Sequence, residues 1–174
     1  PRVFLSHAHS DLKRPIVKQL IEDLKQLTDV WIDTQNIPIG KSWSREIEDG
    51  ITGATYFVLL ASKKSVRREV VLDEIDFALR QKKNIIPLRL DDDVKFPFGL
   101  TRLQYLSFLT VDDYSSNFPR LLQAIGVDEA SYTPRVSSPA TSTSPTIFHR
   151  MLQALDLDAT LPFSIPRTSL FSTQ

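Results

Sequence analysis

Cysteine is absent from the 174 residues. That excludes a disulfide frame and thiolate chemistry, and it fits a cytoplasmic setting. An excess of either charge is absent as well: Lys+Arg and Asp+Glu both number 21, for a formal net charge of zero. A dedicated nucleic-acid binder carries a strong basic footprint, so that class is excluded. No apolar run approaches the roughly 20 residues that span a bilayer, and no signal peptide is visible. An initiating Met is lacking too: the chain opens on Pro1 with a strand at once, and reads as a piece trimmed at its start. There is no internal repeat. What remains is a chain long enough for one domain plus an appendage.

Short apolar runs alternate with stretches of helical spacing. Val3-Phe4-Leu5 is too short for a helix and reads as a buried strand. A polar loop, Ser6-His7-Ala8-His9-Ser10-Asp11, follows it. Asp11 is placed to cap a helix and Pro15 to sit in its first turn, with Ile16, Leu20, Leu24 and Leu27 on one face. Val30-Trp31-Ile32 is the second strand. Asp33 to Lys41 is a loop punctuated by Pro38 and Gly40. Ser42 opens a second helix through Ile47 and Ile51, closed near Gly53. Tyr56-Phe57-Val58-Leu59-Leu60 is continuously apolar, as a strand buried on both faces is.

A third helix runs over Val70–Leu79 and ends by Asn84. Ile85 to Leu90 is a fourth strand, in which Pro87 implies an outer position or a bulge. Tyr105-Leu106-Ser107-Phe108 is a fifth. Ser115 or Ser116 caps a last helix carrying Phe118, Leu121, Leu122 and Ile125, with Gly126 as its stop. This alternation predicts an α/β fold: a flavodoxin-like, doubly wound, five-stranded parallel sheet over residues 1–126. Ser, Thr and Pro then dominate, so 127–146 reads as a flexible linker. Residues 147–174 form a short helical or irregular tail, in which Ile147, Met151, Leu152 and Leu155 share helical spacing, or the start of a further domain.

One residue on the third helix stands out. At about 100° per residue, Val70, Val71, Ile75, Phe77, Ala78 and Leu79 share a broad apolar arc. Asp73 and Asp76 fall opposite or at its edge, but Glu74 falls inside it. No Lys or Arg lies three or four residues away to pair with it. Either Glu74 reaches solvent at a helix rim, or it is an inward carboxylate held by hydrogen bonds or for chemistry.

Three segments, in order on these elements, resemble the Toll/interleukin-1 receptor (TIR) domain family over roughly Arg2 to Gly126. The first is Val3-Phe4-Leu5-Ser6-His7 with Asp11 after it. The second is Trp31-Ile32-Asp33 leading through Ile37-Pro38-Ile39-Gly40 to Trp43, similar to the family's BB loop. The third is Ser62-Lys63-Lys64-Ser65-Val66 followed by Glu74-Ile75 and Ala78-Leu79. The resemblance is to the bacterial-type, NAD-cleaving branch, and it implies the TIR fold, cleavage of the nicotinamide–ribose bond of NAD+, and Glu74 as the catalytic residue. It also implies a substrate site drawing on Ser6, His7, His9, Asp33, Ile37, Gly40, Trp43 and Val70. NAD+ would be substrate, with no separate cofactor. One departure is plain: Val70 stands where NAD-cleaving members often carry an aromatic, one turn before the glutamate, removing a stacking surface for a base.

The resemblance further implies an effector of immune or cell-death signalling that works by self-association through TIR–TIR contacts. The alternative is a non-catalytic adaptor assembling through Asp33 to Lys41 and the neighbouring helices. A phospho-acceptor receiver shares the topology, but it needs acids where this chain has Ser6-His7 and Ala61-Ser62. His7 and His9 lack a third metal ligand nearby, so no metal site is expected. Ser6 sits in no Gly-x-Ser-x-Gly elbow and is not expected to be a nucleophile. Lys63, Lys64, Arg67 and Arg68 form a basic cluster suited to a phosphate, an acidic partner or solvent.

Overall fold

Side-chain alternation along the strands divides the apolar residues between two faces of one sheet. The computed structural model describes residues 1–32, 45–128, 130 and 132. In chain order the elements are β1 (Arg2–Ser6), α1 (Pro15–Leu27), β2 (Asp29–Ile32), α2 (Arg45–Gly53), β3 (Tyr56–Ala61), α3 (Glu69–Arg80), β4 (Asn84–Arg89), β5 (Leu106–Ser107) and α4 (Val111–Ala124). The five strands pair in the order β2-β1-β3-β4-β5, every pair parallel.

Val3 and Leu5 of β1, Val58 and Leu60 of β3, and Leu88 of β4 pack with Val17, Leu20 and Leu24 of α1 and with Phe118, Leu121 and Leu122 of α4. Phe4, Phe57, Leu59 and Ala61 pack on the other face with Ile47 and Ile51 of α2 and with Val71, Ile75 and Ala78 of α3. Each strand of a parallel sheet covered on both faces is apolar throughout, which is why Phe57 to Ala61 are all fully buried. On the α2 side, Phe4 stacks between Trp31 (centroids 4.7 Å apart) and Phe57 (5.4 Å). Gly50 lets α2 approach that stack: a Cβ there would lie 2.9 Å from the Trp31 indole.

The α1–α4 seam carries one buried polar cluster. The Tyr114 hydroxyl donates to Asp23 Oδ2 at 2.6 Å and the Tyr132 hydroxyl to the same oxygen at 3.1 Å. Burial, then the Asp23 carboxylate, push the Tyr114 phenol far above its usual range.

The structure places several boundaries differently from the sequence reading. Thr110, not Ser115 or Ser116, caps α4, its hydroxyl accepting from the Asp113 N–H at 3.1 Å. Asp11 does not cap α1; Arg14 holds that position without a side-chain cap bond, and Pro15 is the first helical residue. Pro87 lies inside β4 opposite Leu59, while β5 joins only at Leu88 and Arg89. One flank of β4 is thus unpartnered at Pro87, where a missing N–H is tolerated. Gly126 ends α4 with φ of 71°, and the Val127 N–H reaches back to the Leu122 carbonyl.

α3 ends two residues before its left-handed turn, well ahead of Asn84. Lys82 adopts φ of 53° and the Lys83 N–H donates to the Ala78 carbonyl, a helix stop usually built with glycine. A side chain in the left-handed region costs about 1 kcal/mol relative to glycine. Lys82→Gly is therefore expected to stabilise the fold by up to about 1 kcal/mol, read as a higher urea midpoint at unchanged slope.

Contacts gather Pro1–Thr133 into one unit. The predicted linker, 127–146, and tail, 147–174, lie almost wholly outside the described residues.

Candidate functional site

The same alternation that builds the core delivers a serine to a glutamate. Phe4 and Ser6 share the face of β1 that α2 and α3 cover, and Ser6 is the last residue of the strand. On α3 the buried positions are Val71, Glu74, Ile75 and Ala78, a spacing of three, one and three that marks one helical stripe. Glu74 thus occupies a core position, with 4 % of its surface exposed. The Ser6 hydroxyl donates to Glu74 Oε2 at 2.5 Å across 68 residues of sequence. This bond sits at the carboxyl ends of β1 and β3. There the strand order reverses, and doubly wound sheets place their ligands at that point.

The loops around this pair are tied together by buried polar groups. Ser62 and Ser65 close the turn after β3 reciprocally: the Ser62 N–H donates to Ser65 Oγ at 2.8 Å, and the Ser65 N–H to Ser62 Oγ at 3.0 Å. The Ser65 hydroxyl then donates to the Leu60 carbonyl. Asp11, fully buried, joins this turn to the loop after β1. Its Oδ2 accepts from the Ala8 N–H at 3.2 Å and from the Ser62 hydroxyl at 2.9 Å.

A second clamp reaches the end of β4. Arg14 grips Asp91 with two hydrogen bonds, of 2.7 and 3.1 Å, and donates to the Leu90 carbonyl at 2.9 Å. Asp91 also accepts from the Lys63 N–H at 2.8 Å. The loops after β1, β3 and β4 are thereby one hydrogen-bonded unit. The Arg14 hydrogen bond, reinforced by the Lys63 N–H against partial burial, holds the Asp91 carboxyl below its usual range. A carboxyl lowered in the folded state stabilises above its unfolded pKa, and that stability is lost as pH falls through the folded value. Asp91→Asn should therefore be less stable than wild type near neutral pH, with the gap closing below about pH 4. Urea midpoints measured across that range read it directly.

Of the residues predicted to form the site, the structure brings Ser6 and Glu74 into contact. His7 is half-buried in the adjoining loop and His9 is exposed. Val70 is half-buried in the first turn of α3, four residues before Glu74. Asp33, Ile37, Gly40 and Trp43 lie outside the described residues. The clamps of Asp11, Arg14 and Asp91 were not read from the sequence, since no local pattern links residues 77 positions apart. Asp11 carried the wrong local signal, that of a helix cap. Among the described residues no group of three or more His, Cys, Asp or Glu side chains could hold a metal. No helix among them is long and apolar enough to cross a membrane.

Known proteins match this architecture. A family model described as the TIR domain matches residues 3–122. An archaeal protein named NAD(+) hydrolase TcpA, from Theionarchaea archaeon, is 31 % identical over 115 residues, covering 63 % of this chain and 32 % of its own. The 2' cyclic ADP-D-ribose synthase BtTIR of Bacteroides thetaiotaomicron is 29 % identical over 129 residues, covering 68 % and 45 %. NAD(+) hydrolase TcpC of Escherichia coli is 29 % identical over 91 residues, covering 49 % and 29 %. The chain thus spans less than half the length of these relatives.

In solved structures, the TIR domain of the Toll-related receptor TRR-2 from Hydra magnipapillata superposes with a TM-score of 0.55 at 18 % identity, covering 70 % of this chain and 94 % of that one. A prokaryotic SEFIR domain does so at 0.52 and 19 %, covering 72 % and 98 %. These two likenesses speak to the fold alone. With the family's pattern matched from the first strand into the last helix, over a sheet in the flavodoxin-like order, this chain belongs to the TIR domain family.

Proposed function

We propose that this TIR domain cleaves the bond between nicotinamide and ribose in NAD+, with Glu74 as the catalytic carboxylate. The observation that carries the reading is the burial of Glu74 at a core position, hydrogen-bonded to Ser6 at the sheet's ligand-binding end. An apolar side chain would pack there at lower cost, because a buried charge loses its hydration. A costly residue kept at the mouth of the sheet is one suited to chemistry. The names of relatives from an archaeon and two bacteria, each an NAD+ hydrolase or a cyclic ADP-ribose synthase, point the same way.

Nicotinamide leaves as a neutral molecule from a cationic ring, so its departure needs little acid help. The demand is for stabilising the oxocarbenium-like ribose, as in glycoside cleavage. A fixed carboxylate facing the developing positive charge supplies it. The Ser6 hydroxyl holds one carboxylate oxygen, limiting the reorientation needed when charge develops. The loop clamps hold Ser6 and the start of α3 in register. Asp33, Ile37, Gly40 and Trp43 would complete the substrate site from the second loop, and His7 and His9 would meet the phosphates.

In this reading the domain acts as a cytoplasmic effector in immune or cell-death signalling, activated by self-association, with 127–146 tethering it to whatever lies beyond. A non-catalytic adaptor is favoured by one feature: Val70 offers no aromatic face for a base. Incubation of concentrated protein with the fluorescent etheno analogue of NAD+ separates the two. Release of nicotinamide supports the hydrolase, whereas none under crowding or forced clustering leaves the adaptor.

A further inference from the structure

One strand further along the sheet, the loops after β3 and β4 enclose a separate pocket. It measures about 130 Å³ and is lined by Lys63, Val66, Arg67, Asp93 and Lys95. We infer that this pocket is an anion site that takes a single phosphate group. Three cations and one carboxylate line it, so its local charge is positive although the chain as a whole is neutral. None of the three cations takes part in an ion pair among the described residues. The acid that accepts the Lys63 N–H, Asp91, is already held by Arg14. The Lys63 charge acts on Asp91 at longer range, whereas Arg67 and Lys95 have no carboxylate within ion-pair distance among the described residues; cations gathered in this way attract an anion from solution.

Size and geometry narrow the ligand. A cavity of about 150 Å³ holds one benzene ring, so this pocket admits one phosphate but not a nucleoside. Arg67 offers a planar fork of donors suited to phosphate oxygens, and the two lysines add movable ammonium groups. The pocket is also braced. Lys63 donates its N–H to Asp91, and the Arg67 N–H donates to the Lys64 carbonyl in the 3-10 turn Ser65–Arg67. Asp93 turns the β4–β5 connection with a left-handed φ of 56°, a conformation Asp tolerates better than most residues. The phosphate belongs either to the dinucleotide itself, extending across from the Glu74 site, or to a separate phosphorylated ligand.

The site stands whether or not NAD+ is cleaved. Its test is an amide-resolved NMR titration of the whole chain with inorganic phosphate, at ionic strength held constant with chloride. Saturable shifts centred on Lys63, Val66, Arg67, Asp93 and Lys95 are expected. The double variant Arg67→Gln/Lys95→Gln should weaken binding at least tenfold at an unchanged unfolding midpoint, since both side chains are exposed. Glu74→Gln should bind phosphate as wild type does, which separates this inference from the hydrolase reading. Added to Glu74→Gln, NAD+ that displaces phosphate identifies the substrate as its source. Independent binding of the two identifies a separate ligand. Shifts equal to those from chloride, or unchanged affinity in the double variant, overturn the inference.

Discussion

Glu74→Gln should lower nicotinamide release from NAD+ by about 10²–10³-fold or more, the scale seen when one preorganised electrostatic group is removed. The amide keeps the size of the side chain and an oxygen that can accept from the Ser6 hydroxyl. The unfolding midpoint should hold or rise, because a neutral group is easier to bury than a carboxylate. That pairing of outcomes is informative. A side chain retained for stability loses stability when neutralised, whereas one retained for chemistry loses activity. The loss should appear in kcat rather than KM if the carboxylate acts on the developing ribose cation and not on substrate binding.

The second large effect concerns Asp11. Asp11→Ala leaves the Ala8 N–H and the Ser62 hydroxyl without their shared acceptor, and each buried unsatisfied donor costs about 1–3 kcal/mol. It also removes the Asp11 partner 3.4 Å from Arg14. A total near 3 kcal/mol is expected, which lowers the melting temperature by roughly 10 °C in a domain of this size. Asp11→Asn keeps one acceptor and should fall between the variant and wild type. Because Asp11 ties the loop after β1 to the turn after β3, nicotinamide release should fall as well, at temperatures where the variant is still folded. An unchanged urea midpoint for Asp11→Ala would show that these loops hold together without it.

How much of this was legible before the structure depends on the range of each interaction. The strands announced themselves: Val3-Phe4-Leu5 and Tyr56 to Leu60 are too short and too apolar to be anything else, and they lie where expected, within β1 and β3. Glu74 was legible as an anomaly, because helical geometry alone places it inside the apolar arc of Val70, Val71, Ile75, Phe77, Ala78 and Leu79, of which the structure buries Val71, Ile75 and Ala78 and leaves Leu79 exposed. Its partner was not derivable from spacing, since the contact to Ser6 is created by the strand order and not by the chain between them.

Local chemistry could also mislead. Ser115 and Ser116 look like caps, but Thr110-Val111-Asp112-Asp113 is the real start of α4. There the Asp113 carboxylate accepts from the Leu109 N–H while the Thr110 hydroxyl accepts from the Asp113 N–H. Thr110 with Asp113 three residues on is a capping pattern in its own right. Asn84 looked like the end of α3, yet Lys82 does that work with an unfavourable backbone angle. The Arg14–Asp91 clamp left no local trace, because residues far apart in sequence meet there only once β4 lies beside β3.

The most direct test of the account is chromatographic detection of nicotinamide from NAD+ incubated with concentrated wild-type protein, with Glu74→Gln run beside it under the same crowding. The account predicts nicotinamide accumulating with time in the wild-type sample and remaining at background in the variant. Equal amounts from the two proteins, or none from wild type even when clustered, would contradict it.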